Sequence, residues 1–161
     1  MGEGVLDAAD ARLQIQWLEA EYARTWDTGD AEGWADCFVP TGAFEMCSYG
    51  TRRARRFSGH DELVAFCRTT TDRYEGIHLI NPAAVTLDGE RATGWVHFSY
   101  HDRDRLDPAV PPRHVVGVYA VQYVRTSAGW RMERRREQAV MADGTFFGVP
   151  TAARMWADDV P

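Results

Sequence analysis

The stretch Tyr22-Ala-Arg-Thr-Trp-Asp-Thr-Gly-Asp-Ala-Glu-Gly-Trp34 decides how the first third of the chain is read. Residues 8–27 carry apolar side chains at three-to-four spacing, Leu13, Trp17 or Leu18, Tyr22 and Trp26, which predicts an amphipathic helix capped by Asp7 or Asp10. Gly29 supplies the left-handed residue that stops this helix. Asp30 is then placed to cap a second, short helix through Trp34, Cys37 and Phe38, its carboxylate accepting from a free first-turn N–H. Asp27 is left at the C-terminal end of the first helix, where the dipole's negative end disfavours an anion. A carboxylate there is either solvated or held for a purpose.

Working outward, Val39-Pro-Thr-Gly42 reads as a turn, Ala43 to Tyr49 as a strand, and Arg52 to Phe57 as its hairpin partner. Ser58-Gly-His-Asp61 opens a third helix, with a serine and an acid in capping-box spacing. Its stripe is Leu63, Val64, Phe66 and Cys67, and it ends near Gly76. The period then changes. Segments 77–87, 91–101, 114–126 and 130–141 are rich in β-branched and aromatic residues and read as strands. Asp88-Gly89 signals a tight hairpin between the first two, and Gly129 a second hairpin later. A short helix over 150–158 carries Met155 and Trp156. Helices followed by a meander predict an α+β domain, a curved antiparallel sheet with helices on one face enclosing a cone-shaped cavity. The core expected from this pattern is Trp17, Leu18, Tyr22, Phe38, Phe44, Phe66, Leu79, Trp95, Val118 and Val121.

The 161 residues form one domain, with a core over 8–142 and a C-terminal extension over 143–161. A net charge of −6 gives no nucleic-acid footprint. All 18 basic residues are arginine, so lysine Schiff-base chemistry is excluded. Three cysteines without CxxC spacing read as reduced core thiols of a cytoplasmic protein, and no apolar run suggests a leader or a membrane span. No glycine-rich phosphate loop or compact ligand spacing is present, so neither a cofactor nor a metal is expected. His97 and His101, four apart on one strand, sit about 13 Å from each other, too far to share an ion.

Three local motifs, in order, carry a resemblance: Trp26-Asp27-Thr-Gly-Asp30 with Trp34, Ile77-His78-Leu-Ile-Asn81, and Arg113-His114. With this element order, the chain resembles the nuclear-transport-factor-2-like superfamily, and within it the SnoaL-like group near scytalone dehydratase, over roughly residues 8–142. The resemblance implies that His78 is a general base, that Asp27 orients its ring and stabilises the imidazolium, and that His114 is an acid or donor to a leaving hydroxyl. A related dehydrochlorinase branch resembles the chain in the Asp and the first His. Imidazole titrates near neutrality and a buried carboxylate selects its tautomer, which is why these residue types serve. Where the dehydratase keeps two tyrosines, this chain has Trp26 and Met46, which favours an apolar or aromatic ligand.

Tyr49, Asn81 and Tyr119 join Trp26 and Met46 as substrate-binding candidates, and Tyr49, Tyr100 and Tyr119 fit core packing equally well. The Arg52-Arg-Ala-Arg-Arg56 run fits a solvated hairpin rim better than a phosphate grip, and Arg131 and Arg134–Arg136, alternating with Glu133 and Glu137, read as cross-strand charge pairs. The expected function is a cofactor-free lyase or isomerase, a dehydratase, cyclase or isomerase acting on a small, largely apolar, polyketide-derived substrate. The alternative is a non-catalytic binding or oligomerisation module, such as an accessory subunit of an oxygenase. A homo-oligomer, dimer or trimer, is expected, with no nucleic-acid or membrane partner.

Overall fold

A computed structural model describes residues 3–47 and 54–156. Helix α1 (Glu3–Asp27) runs into α2 (Ala31–Ala35), then β1 (Phe38–Cys47), β2 (Ala54–Ser58) and α3 (His60–Arg73). The remainder is β3 (Tyr74–Ile80), β4 (Ala84–Asp88), β5 (Arg91–Asp104), β6 (Arg113–Thr126), β7 (Gly129–Ala142), the short β8 (Thr145–Phe146) and α4 (Ala152–Trp156). The sheet runs β2-β1-β7-β6-β5-β3, with β4 also on β5 and β8 on β7. The α+β expectation holds. One detail differs: β1 lies parallel to β7, so the sheet is mixed rather than wholly antiparallel. Irregular register at Val116/Gly117 and Gln122/Tyr123 between β6 and β7 supplies local bends that curve the sheet around the helices.

The buried stripe of α1 is Ala11, Ile15, Leu18, Tyr22 and Trp26, joined by the polar Glu19 and Thr25. Leu13 and Trp17, expected inside, point the other way and are 56% and 70% exposed. The true stripe contains a carboxylate that only a tertiary partner can satisfy, and this disguises it in the sequence. Leu79 is also exposed, because His78 takes the inward position on the alternating edge strand β3 and leaves Ile77 and Leu79 outside. Leu18, Tyr22, Phe38, Phe44, Val118 and Val121 are buried as expected, while Phe66 and Trp95 are half-buried. Val118 belongs to a second cluster, with Ala120, Val140 and Met155, against which Trp95 and Trp156 pack.

Three local expectations change. Residues 39–42 continue β1 through an irregularity between Phe38 and Ala43 rather than forming a separate turn. The segment 77–87 is two strands, broken at Asn81-Pro82-Ala83, where Pro82 has no N–H to give to a ladder. Gln16 of α1 seals the break, donating to the Ala83 carbonyl at 3.0 Å and accepting its N–H at 2.9 Å. Helix α3 starts after Gly59, and Glu62, not Asp61, takes the Ser58 N–H at 2.8 Å.

Behind the sheet, the Glu45 carboxylate is 2% exposed and receives Arg134, Arg136 and Arg56. Arg136 also donates to the Met155 carbonyl at 2.7 Å, and Arg134 lies over the Trp156 ring, so the same charge cluster anchors α4. Burial would raise the Glu45 carboxyl, but Arg134 and Arg136 outweigh it and hold it below its ordinary value. A group held low contributes stability that is present above its unfolded value and lost as pH falls. Glu45→Gln is therefore expected to cost about 3–5 kcal/mol near neutrality, because it removes the buried negative charge that Arg134, Arg136 and Arg56 share. Urea denaturation should show the gap between wild type and variant closing below about pH 4.

Candidate active site

The C-terminal end of α1 is set by two hydrogen bonds. The Gly29 N–H reaches the Trp26 carbonyl at 2.9 Å and the Asp30 N–H reaches that of Thr25 at 2.8 Å, with Gly29 at φ 72°. This is the Schellman pattern, which needs the left-handed residue that glycine supplies. Asp30 then caps α2, accepting the Gly33 N–H at 3.0 Å. Asp27 is thereby fixed in the last turn, facing β3.

There its carboxylate meets His78. Oδ1 lies 2.7 Å from His78 Nδ1, and the two oxygens are 3.1 and 2.9 Å from the His78 backbone N–H. These donors offset the unfavourable end of the helix dipole. The side chains are 20% and 6% exposed, Asp27 and His78 respectively. With Nδ1–H given to Asp27, the lone pair of His78 is on Nε2, which has no hydrogen-bond partner among the described residues. Burial pushes the imidazole below its ordinary value, against the opposing hydrogen bond and charge of Asp27, so it is neutral at pH 7.

His78 forms part of the wall of a cavity of about 380 Å³. Tyr22, Trp26, Phe44, Met46, Phe66 and Phe98 make most of its apolar lining, and Tyr100, Tyr119, Asp102, Arg113 and Glu137 bring polar groups to it. The Tyr100 ring lies 4.3 Å from that of His78, and its hydroxyl accepts the Trp26 indole N–H at 3.2 Å, leaving the hydroxyl proton for another acceptor. Gly76 makes room for it: a Cβ there would stand 2.5 Å from the Tyr100 hydroxyl. Burial pushes the Tyr100 phenol up to about 12, so it is a donor at neutral pH. At one edge, Asp102 holds Arg113 through two bonds, 2.8 and 2.6 Å long.

Trp26, Met46, His78 and Tyr119 share the cavity wall, with Asp27 bonded to His78. Two candidates do not. His114 is on the opposite face of the sheet, its ring 4.1 Å from His101 and its Nε2 2.9 Å from Ser99 Oγ. Its neighbour Arg113 has the inward place, since alternate residues of a strand face opposite ways. Asn81 is exposed in the β3–β4 break, with its N–H on the His97 carbonyl. Tyr49, like Arg52, lies outside the described residues. The pairing of charges read from β7 is right for Arg134 and Arg136 but not for Glu137, which faces the cavity. Burial pushes the Glu137 carboxyl up to about 7, against Arg135 and Tyr119. Only the register of β7 reveals this residue, because in the sequence it sits in a run of alternating charges.

Beneath Tyr22 and Tyr119 lies Arg135, fully buried, its guanidinium 3.9 and 3.8 Å from the two ring centres. Its Nη1 reaches both oxygens of Glu19 at 2.8 Å, and Tyr123 donates to the same carboxylate at 2.6 Å.

None of the curated proteins matches this chain. Among solved structures, a point variant of Rv3472 of Mycobacterium tuberculosis, a protein of unknown function, is 26% identical, with a TM-score of 0.70 over 86% of this chain and 76% of that one. A Novosphingobium aromaticivorans protein proposed as a scytalone dehydratase is 18% identical, with a TM-score of 0.71 over 99% and 100% of the two chains. A type 2 hexachlorocyclohexane dehydrochlorinase is 14% identical, with a TM-score of 0.73 over 91% and 96%. The last two show a shared fold. The model of the SnoaL-like domain matches residues 7–136, and the chain therefore belongs to the SnoaL-like family of the nuclear-transport-factor-2-like fold.

Proposed function

We propose that this protein is a cofactor-independent acid–base enzyme, a lyase or isomerase that removes a proton next to a carbonyl in a small, largely apolar substrate. The observation that carries this reading is the neutral His78, with Nδ1 committed to Asp27 and Nε2 unpartnered among the described residues in an aromatic-walled cavity. Asp27 fixes the tautomer and stabilises the imidazolium as it forms. The Tyr100 hydroxyl, steadied by Trp26, donates to the oxygen on which enolate charge develops. Trp26, Phe44, Phe66 and Phe98 exclude water and suit a planar or aromatic body such as a polyketide-derived ring. The dehydratase and dehydrochlorinase names of two structural neighbours agree with elimination chemistry. Ile77 and Leu79, exposed at 55% and 57% on the outer side of the sheet, support a homo-oligomer. The buried Cys37 and Cys67 thiols, which form no disulfide among the described residues, accord with a cytoplasmic location. Among the described residues no helix is long and apolar enough to cross a membrane.

The test is proton exchange and turnover on aryl β-hydroxyketones, followed by mass spectrometry in deuterated water. His78→Ala and Asp27→Asn should each lower kcat/KM by about 10²–10⁴. The double variant should lose little more, since the two act as a unit. Asp27→Asn should also cost about 1–3 kcal/mol of stability, because an amide cannot accept all the donors the carboxylate now serves. Additive, modest affinity changes without exchange would mark a binding module instead.

The pH profile follows from the sign of the His78 shift. Its folded value is depressed, so the acid limb of kcat/KM should lie below about pH 6.5, where activity falls as Nε2 is protonated. Stability moves the same way: the contribution is present above the unfolded value and lost as pH falls. An acid limb that persists unchanged in His78→Ala, measured on residual activity, would assign it to another group.

A further inference from the structure

His78 removes a proton but no residue above returns one to a leaving group, and His114, on the far side of the sheet, is not placed to do so. One carboxyl group in the cavity wall has no use so far. Glu137 stands on β7 opposite Tyr119 of β6 and Met46 of β1, all three lining the cavity. It makes no ion pair among the described residues, and the nearby cation, Arg135, pairs through Nη1 with Glu19. The charged and titratable groups around it are Arg135 on its own strand, the Tyr119 phenol on β6, Tyr22 with Glu19 on α1, and, beyond Met46 of β1, Arg55 of β2, which lines the same cavity. The Tyr22 ring connects the two ends of the cavity, 6.2 Å from the His78 ring and 6.0 Å from that of Tyr119.

We propose, building on the acid–base reading above, that Glu137 is the general acid of this site and that the substrate is a β-hydroxycarbonyl compound, which needs such an acid. Burial in this wall outweighs the pull of Arg135 and Tyr119 and favours the neutral form, so near pH 7 a large share of Glu137 carries a proton to give. As the proton departs, the developing carboxylate gains from Arg135 and from the Tyr119 hydroxyl, both already in place. The step balances. His78 Nε2 takes the proton from the carbon next to the carbonyl, and the C–H electron pair becomes the new C=C bond. The C–O bond to the β-hydroxyl breaks toward oxygen, which takes the Glu137 proton and leaves as water. The cycle closes when His78 loses its proton to solvent and Glu137 regains one.

Leaving-group dependence tests this. A β-chloroketone needs no proton to lose chloride, whereas the matched β-hydroxyketone needs one to lose water. Glu137→Gln should lower kcat on the hydroxy compound by about 10²–10³ with KM nearly unchanged, and change the chloro compound by less than about threefold. The chloro substrate also reports that the variant is folded and its base intact. The wild-type hydroxy profile should show an alkaline limb near pH 7, which Glu137→Gln removes and Glu137→Asp retains. Equal losses on both substrates, or no loss on the hydroxy compound, overturn the assignment. So does a wild type that turns over only the chloro compound, which would leave the His78 reading standing. A wild type inactive on both removes the base and the acid together.

Discussion

The interaction on which the rest depends is the burial of the Arg135 guanidinium against Glu19. An isolated charge in a protein interior costs several kcal/mol after relaxation, so it persists only where partners surround it. Here Glu19 supplies the counter-charge, Tyr123 completes that carboxylate, and Tyr22 and Tyr119 present their ring faces to the cation. Nε and Nη2 have no hydrogen-bond partner among the described residues. The pair joins the middle of α1 to the last long strand. It fixes the roll of the helix about its axis, and with it which residues of α1 face the sheet.

That roll decides the cavity. With Glu19 pointing at β7, Tyr22 and Trp26 come into the wall, and the helix end one residue on brings Asp27 to β3. The same dry surroundings then act in opposite directions on two kinds of group. Loss of solvent disfavours charge, so the imidazole of His78 moves down and the carboxyl of Glu137 moves up. Near neutrality one is ready to accept a proton and the other to give one, with ordinary residue types set apart by their surroundings alone. Trp26 contributes twice, through its ring in the wall and through the indole N–H that orients Tyr100.

The sequence revealed those features that depend on neighbours along the chain. Gly29 and Asp30 marked a helix stop and a helix start because each does its work within a few residues. Gly89 and Gly129 marked hairpins for the same reason, both at positive φ in the structure. Features that depend on distant partners were hidden. Trp17 reads as core, and Glu19 gives no sign of its burial, because its partner Arg135 is 116 residues away. The sequence does not tell that Arg113 rather than His114 faces inward, because a strand's face can be read only once its register is known, and an error of one residue inverts it. Glu137 was invisible among arginines for that reason too. The parallel pairing of β1 with β7 has no local signal of any kind.

The distance along the chain between Glu19 and Arg135 has a consequence in time as well as in space. Strands β5, β6 and β7 follow one another as neighbours, with two hairpin-scale connections, and can associate as they leave the ribosome. Helix α1 precedes all three. Until β7 exists, Glu19 has no cation to meet, β1 has no parallel neighbour, and the apolar stripe of α1 is uncovered. Helix α1, made before every strand of the sheet, is thus among the last of these elements to be seated, and the cavity between it and the sheet closes only once β7 has been made. During that interval it is the exposed stripe of α1, rather than any strand edge of the meander, that presents sticky surface to other chains.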